Sequence, residues 1–337
     1  MVKLTPRAYH LLIVFCGVLV ISFGLMYRFA SAPEQTPENE GAVHFVAVGD
    51  FGGSVDTAKV LKGIGLRQPE FMLGLGDLSY SEITPETTWC DFMRTYSNDT
   101  PIELIAGNHE GNHEDGYIDN FTKCLPDVMK STGQFGKEYY FDYPAKYPLA
   151  RFIMISPNIK FPDEVYEYRT PDSPHVKWLT KAIEDARADH IKWIIVGMHK
   201  VCITVGTKPC EVGHEVLDLL AKERVDLILQ GHDHVYERSK QLICTKVPFV
   251  GNCVIESLDK HSYTKGQGPI IIITGTGGKS LSDTSATNAN SQYFLTFMSQ
   301  NAKPTKGFLD ITLTEDELTG EFVPVTGENY SDYFTIQ

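Results

Sequence analysis

The chain contains no pair of cysteines in CxxC spacing, no internal repeat and no breaker-rich linker within residues 43–337. The first absence argues against a structural zinc knuckle of that type, and the other two against a repeat array or a second domain. Basic residues are also in deficit, 30 Lys and Arg against 43 Asp and Glu, giving a formal charge of -13. That balance excludes an extended, non-specific nucleic-acid surface, which needs clustered positive charge. A local site for a phosphate-bearing ligand survives if metal ions supply the positive field. What is present is apolar material: 42% of the residues are hydrophobic and the mean hydropathy is -0.16. Such a chain builds a core and is not disordered.

The first thirty residues are physically distinct. Leu11 to Met26 carries no charge, Lys3 and Arg7 precede it, and Arg28 follows. The apolar span extends from Ala8 through Tyr27, long enough to cross a bilayer, with the remainder outside or in a lumen. Residues 1–30 are therefore expected to be a transmembrane anchor or, through Ala30-Ser31-Ala32, a cleaved signal with Pro33 as the first mature residue. Both readings export the protein, membrane-anchored or secreted. Residues 31–42 are a Pro- and Glu-rich linker, and residues 43–337 the main folded domain. Cys16 lies inside the apolar span, leaving Cys90, Cys124, Cys202, Cys210, Cys244 and Cys253. Pairing them in sequence order closes three modest loops, and is the simplest of several possibilities. Glycosylation sequons begin at Asn98, Asn120 and Asn329.

From Val43 onward, apolar β-prone runs alternate with helical periodicity. Strands are expected at Val43–Val48, Phe71–Leu75, Pro101–Ala106, Tyr139–Tyr143, Arg151–Ser156, Lys192–Val196, Val225–Leu229 and Pro269–Thr274. Helices are expected at Thr57–Leu66, Pro85–Tyr96, Pro174–Ala188 (capped by Ser173) and Val212–Lys222. Residues 279–304 read as a long polar loop with an apolar insert, Tyr293–Met298. A closing hairpin pairs Gly307–Thr314 with Leu318–Val325. The pattern predicts one layered α/β domain with a mixed sheet or two facing sheets.

Five of these strands end in the same way, with a glycine and then a ligand-capable residue. They present Asp50; Asp77 and Tyr80; Asn108 and His109; His199; and His232 with His234. Taken singly, the aspartates suit helix caps or Asx turns, the tyrosine a packed aromatic and the histidines satisfied polar groups. Five together at strand ends, where α/β sheets place their sites, point to chemistry. The donors are too many for one closed tetrahedral site. They suit two ions roughly 3.5–4 Å apart, which can generate hydroxide from water near neutrality and clamp phosphoryl oxygens during in-line attack. Oxygen and nitrogen ligation without thiolate fits zinc, iron or manganese. A tyrosine, with a free pKa of about 10, needs a strongly Lewis-acidic ion to hold it deprotonated at low pH, and this points to Fe(III). His109 is placed to steady phosphate and protonate a leaving alkoxide.

The segments Gly49-Asp50-x-Gly52, Gly76-Asp77-x-x-Tyr80, Gly107-Asn108-His109-Glu110, Gly197-x-His199 and Gly231-His232-x-His234 resemble the calcineurin-like metallophosphoesterases. Within them they are similar to the purple acid phosphatases, tartrate-resistant enzymes included, over about Phe45 to Gly278. The resemblance implies the calcineurin-like metallophosphoesterase fold, an α/β sandwich of two mixed β-sheets with flanking helices. It implies acid hydrolysis of phosphate monoesters, small or protein-borne, at a binuclear centre of Fe(III) with Fe(II), Zn(II) or Mn(II). Asp50, Tyr80 and His234 then hold the ferric ion, Asn108, His199 and His232 the divalent ion, Asp77 bridges, and His109 contacts phosphate. An N-terminal sandwich domain of the plant type is not expected, because the first catalytic strand follows the linker directly.

The pattern breaks after His199. Where the family carries a further substrate-side histidine, residues 200–210 offer only Lys200 and Lys208, followed by His214. Lys208 and His214 are kept as catalytic candidates, with a lysine expected to be a poor proton donor. His113 is a weaker cleft candidate. His44, His175 and His190 are read as structural or solvated, Glu110 as support for the His109 loop, and Glu237 and Arg238 as pairing with neighbouring loops. Two rivals stand beside the acid phosphatase: a phosphodiesterase or nucleotide hydrolase on the same scaffold, and a non-enzymatic surface interaction module. Composition does not indicate oligomeric state.

Overall fold

Alternating residues of the central strands face two different cores, and this decides the architecture. The computed structural model describes residues 41–111, 115–246 and 249–337. In the Val43–Val48 strand, Val43, Phe45 and Ala47 pack into one core while Val46 and Val48 pack into the other. A strand buried on both faces has to be apolar at nearly every position, hence its continuous run.

Two mixed sheets result. The seven-stranded sheet runs in the order Ser262–Tyr263, Asp332–Ile336, Leu318–Gly327, Thr305–Leu313, Val43–Val48, Phe71–Gly74, Ile102–Leu104. The last three strands are parallel, and Thr305–Leu313 pairs antiparallel with Val43–Val48. The eight-stranded sheet runs Phe294–Met298, Tyr236–Ser239, Ile270–Thr274, Leu227–Gln230, Trp193–Met198, Ala150–Ile155, Glu138–Tyr143, Thr132–Gln134. Its middle, from Ile270–Thr274 to Ala150–Ile155, is parallel. The sheets meet through aromatic rings: Phe152 lies edge-on to Phe45 at 5.0 Å and to Phe71 at 5.1 Å, and stacks on Phe141 at 4.9 Å. The outer core packs against the helices Val55–Arg67, Glu86–Ser97, Pro174–Ala188 and His214–Lys222. Two facing mixed sheets with outer helices form the expected α/β sandwich, and Ala42–Gln337 packs as one unit.

The cysteines pair as 90–124, 202–210 and 244–253, the sequential pattern. Ser173 caps Pro174–Ala188, its Oγ accepting from Val176 N at 3.1 Å. The helix expected to start at Thr57 begins at Val55, because Ser54 is the cap and Thr57 closes a capping box with it. Tyr236–Ser239, absent from the expected strands, is a buried strand. Its charges are satisfied inside: Arg238 grips Asp332 at 2.6 and 2.8 Å, and Glu237 accepts from Val205 N at 3.0 Å. His44 pairs with Asp310 and His175 with Glu138. One correction concerns the membrane. Among the described residues no helix is long and apolar enough to cross a bilayer, so the transmembrane expectation is not carried further. Residues 1–30, on which it rested, and His113 lie outside the described residues.

The aromatic seam gives a first test. Phe152→Ala removes a fully buried ring that touches both sheets and is expected to lower unfolding stability by about 3–5 kcal/mol, read from the denaturant midpoint of the full chain.

Candidate metal centre

The five ligand-bearing loops come from both sheets. Asp50 follows Val43–Val48, Asp77 and Tyr80 follow Phe71–Gly74, and Asn108 and His109 follow Ile102–Leu104; His199 follows Trp193–Met198, and His232 and His234 follow Leu227–Gln230. Backbone hydrogen bonds lace these loops together. Asp50 N donates to Gly76 O at 3.1 Å, Phe51 N to Asp77 O at 3.0 Å, Gly231 N to His199 O at 3.1 Å, and Gly49 N crosses to Thr274 O at 3.0 Å. Two glycines are compulsory here. A Cβ on Gly107 would sit 2.0 Å from Asp77 Oδ1, and one on Gly231 would sit 2.8 Å from Asp50 Oδ2.

The side chains fall into two groups joined by Asp77. In the first, Tyr80 Oη lies 3.0 Å from Asp50 Oδ1, 2.9 Å from Asp77 Oδ2 and 3.1 Å from His234 Nε2. In the second, His199 Nε2 lies 3.1 Å from Asp77 Oδ1, 3.2 Å from Asn108 Oδ1 and 3.2 Å from His232 Nδ1. Ligand atoms of Asp77, His199 and His232 lie within 4.8 Å of one another, and all three residues are buried. One phenolic proton cannot serve two carboxylates and an imidazole at once. Donor separations of this size are what a cation bound at about 2.0–2.2 Å by each ligand requires. The donor set therefore fits a binuclear metal centre.

The remaining ring nitrogens are fixed, as metal-site histidines need. His199 Nδ1 meets Leu75 O at 2.7 Å, His234 Nδ1 meets Ser280 O at 2.8 Å, and His232 Nε2 meets Glu211 Oε1 at 2.9 Å. Glu110, wholly buried, accepts from the backbone N–H groups of Asp77, Leu78 and Gly107 at 3.1, 2.7 and 3.0 Å, and so supports the loops as expected. Four residues of the donor set, Asp50, Asp77, Tyr80 and His232, adopt left-handed backbone, with φ of 62°, 51°, 50° and 68°. Non-glycine residues in that region carry strain of order 1–2 kcal/mol each.

His109 stands at the rim, half-buried, with Nε2 3.6 Å from Asp77 Oδ2 and Nδ1 bonded to Asp115. Asp115 and Glu211 escaped sequence reading because neither follows a strand. Among the candidates after His199, Lys200 is bound to Glu211 at 2.7 Å. Lys208 is half-buried, and its charge helps to hold the His232 pKa down, after burial. His214 is not brought to the cluster: its Nδ1 faces Thr245 Oγ1 at 3.3 Å, which Asp218 also holds. The sulfurs of Cys202 and Cys210 beside it are bonded to each other and so cannot ligate.

Burial pushes the His199 pKa down, but the Asp77 carboxylate overrides it and lifts the value to about 9. Burial pushes Tyr80 well above its ordinary range, reinforced by Asp50 and Asp77. Without metal, then, His199 is protonated and Tyr80 a phenol, and metal uptake must release protons.

The calcineurin-like phosphoesterase family profile matches residues 43–236, and the chain belongs to that family. Within it, the chain is similar to plant purple acid phosphatases. It is 26% identical over 269 residues to a purple acid phosphatase of Glycine max, covering 75% of this chain and 54% of that one. It is also 26% identical over 251 residues to the Fe(3+)-Zn(2+) purple acid phosphatase 12 of Arabidopsis thaliana, covering 70% and 50%. The chain thus spans about half the length of these relatives. The structure of a purple acid phosphatase from yellow lupin seeds shares the fold, with a TM-score of 0.66 at 19% identity, over 88% of this chain and 54% of that one.

Two outcomes follow. Gly107→Ala is expected to abolish metal loading, measured by elemental analysis, while Gly251→Ala, whose Cβ meets only a Phe249 ring carbon at 4.0 Å, leaves it intact. For the metal-free protein the sign is fixed by a folded pKa of His199 above its ordinary 6.5. The contribution is complete below 6.5 and is lost as pH rises through about 9. Melting temperature is expected to fall across that window, and to fall less in His199→Gln.

Proposed function

We propose that this protein is an exported acid phosphatase, a metal-dependent hydrolase of phosphate monoesters. One observation carries the reading: Asp77, buried, turns one oxygen to the Tyr80 group and the other to the His199 group. Asp50, Tyr80 and His234 would hold Fe(III), Asn108, His199 and His232 a divalent iron, zinc or manganese ion, and Asp77 both. Ions bound there supply Lewis acidity towards phosphoryl oxygens and make water a nucleophile near neutrality.

The chain's own groups do the rest. His109, with Nδ1 engaged by Asp115, presents Nε2 to the phosphate and passes a proton to the departing oxygen. Lys208 adds positive charge on the His232 side. Lys200 is occupied by Glu211, and no chemistry is assigned to His214. Small phosphomonoesters and phosphoproteins are the proposed substrates, and three disulfides favour an oxidising compartment.

The test compares turnover of p-nitrophenyl phosphate, its bis-ester and ATP. Dominant turnover of the monoester is expected, and dominant turnover of the bis-ester or ATP would sink the assignment. His109→Gln is expected to lower kcat by roughly 10²–10⁴-fold. The metal-replete, oxidised protein is expected to show a tyrosinate-to-Fe(III) absorption band that Tyr80→Phe abolishes.

A further inference from the structure

The loop from Lys200 to Glu211, where the sequence departs from its family, ends on a carboxylate that faces the metal-site residues. Glu211 Oε1 lies 2.9 Å from His232 Nε2, and Oε2 lies 2.7 Å from Lys200 Nζ. Its backbone is fixed on several sides. Glu211 N donates to Val201 O at 3.0 Å, Asn158 Nδ2 donates to Glu211 O at 2.8 Å, and Arg169 donates to the same carbonyl oxygen. The preceding residue, Cys210, is bonded to Cys202. Lys200 is held in turn: its Nζ reaches Asn158 O at 3.3 Å, and Gln230 Nε2 donates to Lys200 O at 2.8 Å. The carboxylate is thus presented on a closed, rigid loop.

We infer that Glu211 is the positioning residue of the divalent half of the centre, setting the tautomer and orientation of His232. A neutral imidazole carries one proton. With Nε2–H donated to Glu211, the lone pair is left on Nδ1, the nitrogen that faces His199 Nε2 at 3.2 Å. A carboxylate on the far nitrogen also makes the ligating nitrogen more basic, and removing such a partner typically costs about 10–100-fold in metal affinity. Lys200, on the other oxygen, keeps Glu211 from rotating away. Residues 200–211 therefore act on the metal ligand His232, in the place where a histidine would face substrate. The Glu211 carboxylate touches His232 and Lys200 and, among the described residues, no member of the Tyr80 group, so its direct action falls on the divalent half.

The inference rests on the proposed metal centre, and the experiment separates the two. The metal-free full chain is titrated with Zn²⁺ by calorimetry, as wild type, Glu211→Gln and Lys200→Met. Two binding events are expected in the wild type. In Glu211→Gln one weakens by about 10–100-fold and the other is unchanged, while Lys200→Met shifts the same event by less. Wild-type uptake of two ions with an unaltered Glu211→Gln isotherm overturns the role of Glu211 alone. A wild type that takes up no Zn²⁺ overturns the metallophosphatase reading together with it. A readout needing no variant is the ¹⁵N spectrum of histidine-labelled, metal-free wild type. His232 protonated on Nε2 supports the inference, and a neutral ring protonated on Nδ1 overturns it.

Discussion

A buried aspartate whose oxygens face opposite ways, Oδ2 towards Tyr80 and Oδ1 towards His199, governs how close the strand ends of the two sheets must stand. Asp77 comes from the seven-stranded sheet and His199 from the eight-stranded one. Their 3.1 Å separation is attainable only because Gly107 has no side chain to obstruct the carboxylate. The aromatic seam between the sheets, the backbone bonds that lace the loops and the carboxylate of Glu110 under three N–H groups all serve this one placement. An aspartate this deeply buried would be costly to ionise alone. Here the neighbouring histidines, His199 foremost, outweigh burial and hold it well below the ordinary carboxylate range.

The backbone is tense where the chemistry is concentrated. Four members of the donor set sit in left-handed conformations that non-glycine residues avoid, and the surrounding packing over-determines them. The strain re-aims each side chain by a turn tighter than a β-strand continuation allows. In exchange, residues from five separate loops converge on a volume a few ångströms across.

Much of this was legible in the sequence because the physics there is local. An apolar run that stops at glycine and then offers Asp, Asn or His is a strand end with a ligand, and all five such ends meet. Pro174–Ala188 was readable from its cap and period to the residue. What escaped depends on partners far along the chain. Tyr236–Ser239 carries two ionisable side chains and does not resemble a buried strand until Asp332 pairs with Arg238 and the backbone N–H of Val205 bonds Glu237. Asp115 and Glu211 sit on loops with no pattern of their own, and acquire meaning only from the histidines they face. His214 shows the converse: a histidine of the right type, near the right loop, turned to a threonine.

The length of chain spanned by the centre constrains when it can exist. Asp50 accepts from the backbone N–H of a residue 182 positions later, and the strand carrying Asp50 is completed on one side only by Thr305–Leu313. Each donor group joins early residues to late ones, Asp50 and Tyr80 to His234 in one and Asn108 to His199 and His232 in the other, so neither is complete until the loop after Leu227–Gln230 has docked. The geometry of both groups therefore belongs to the docked pair of sheets and to no local segment of the chain.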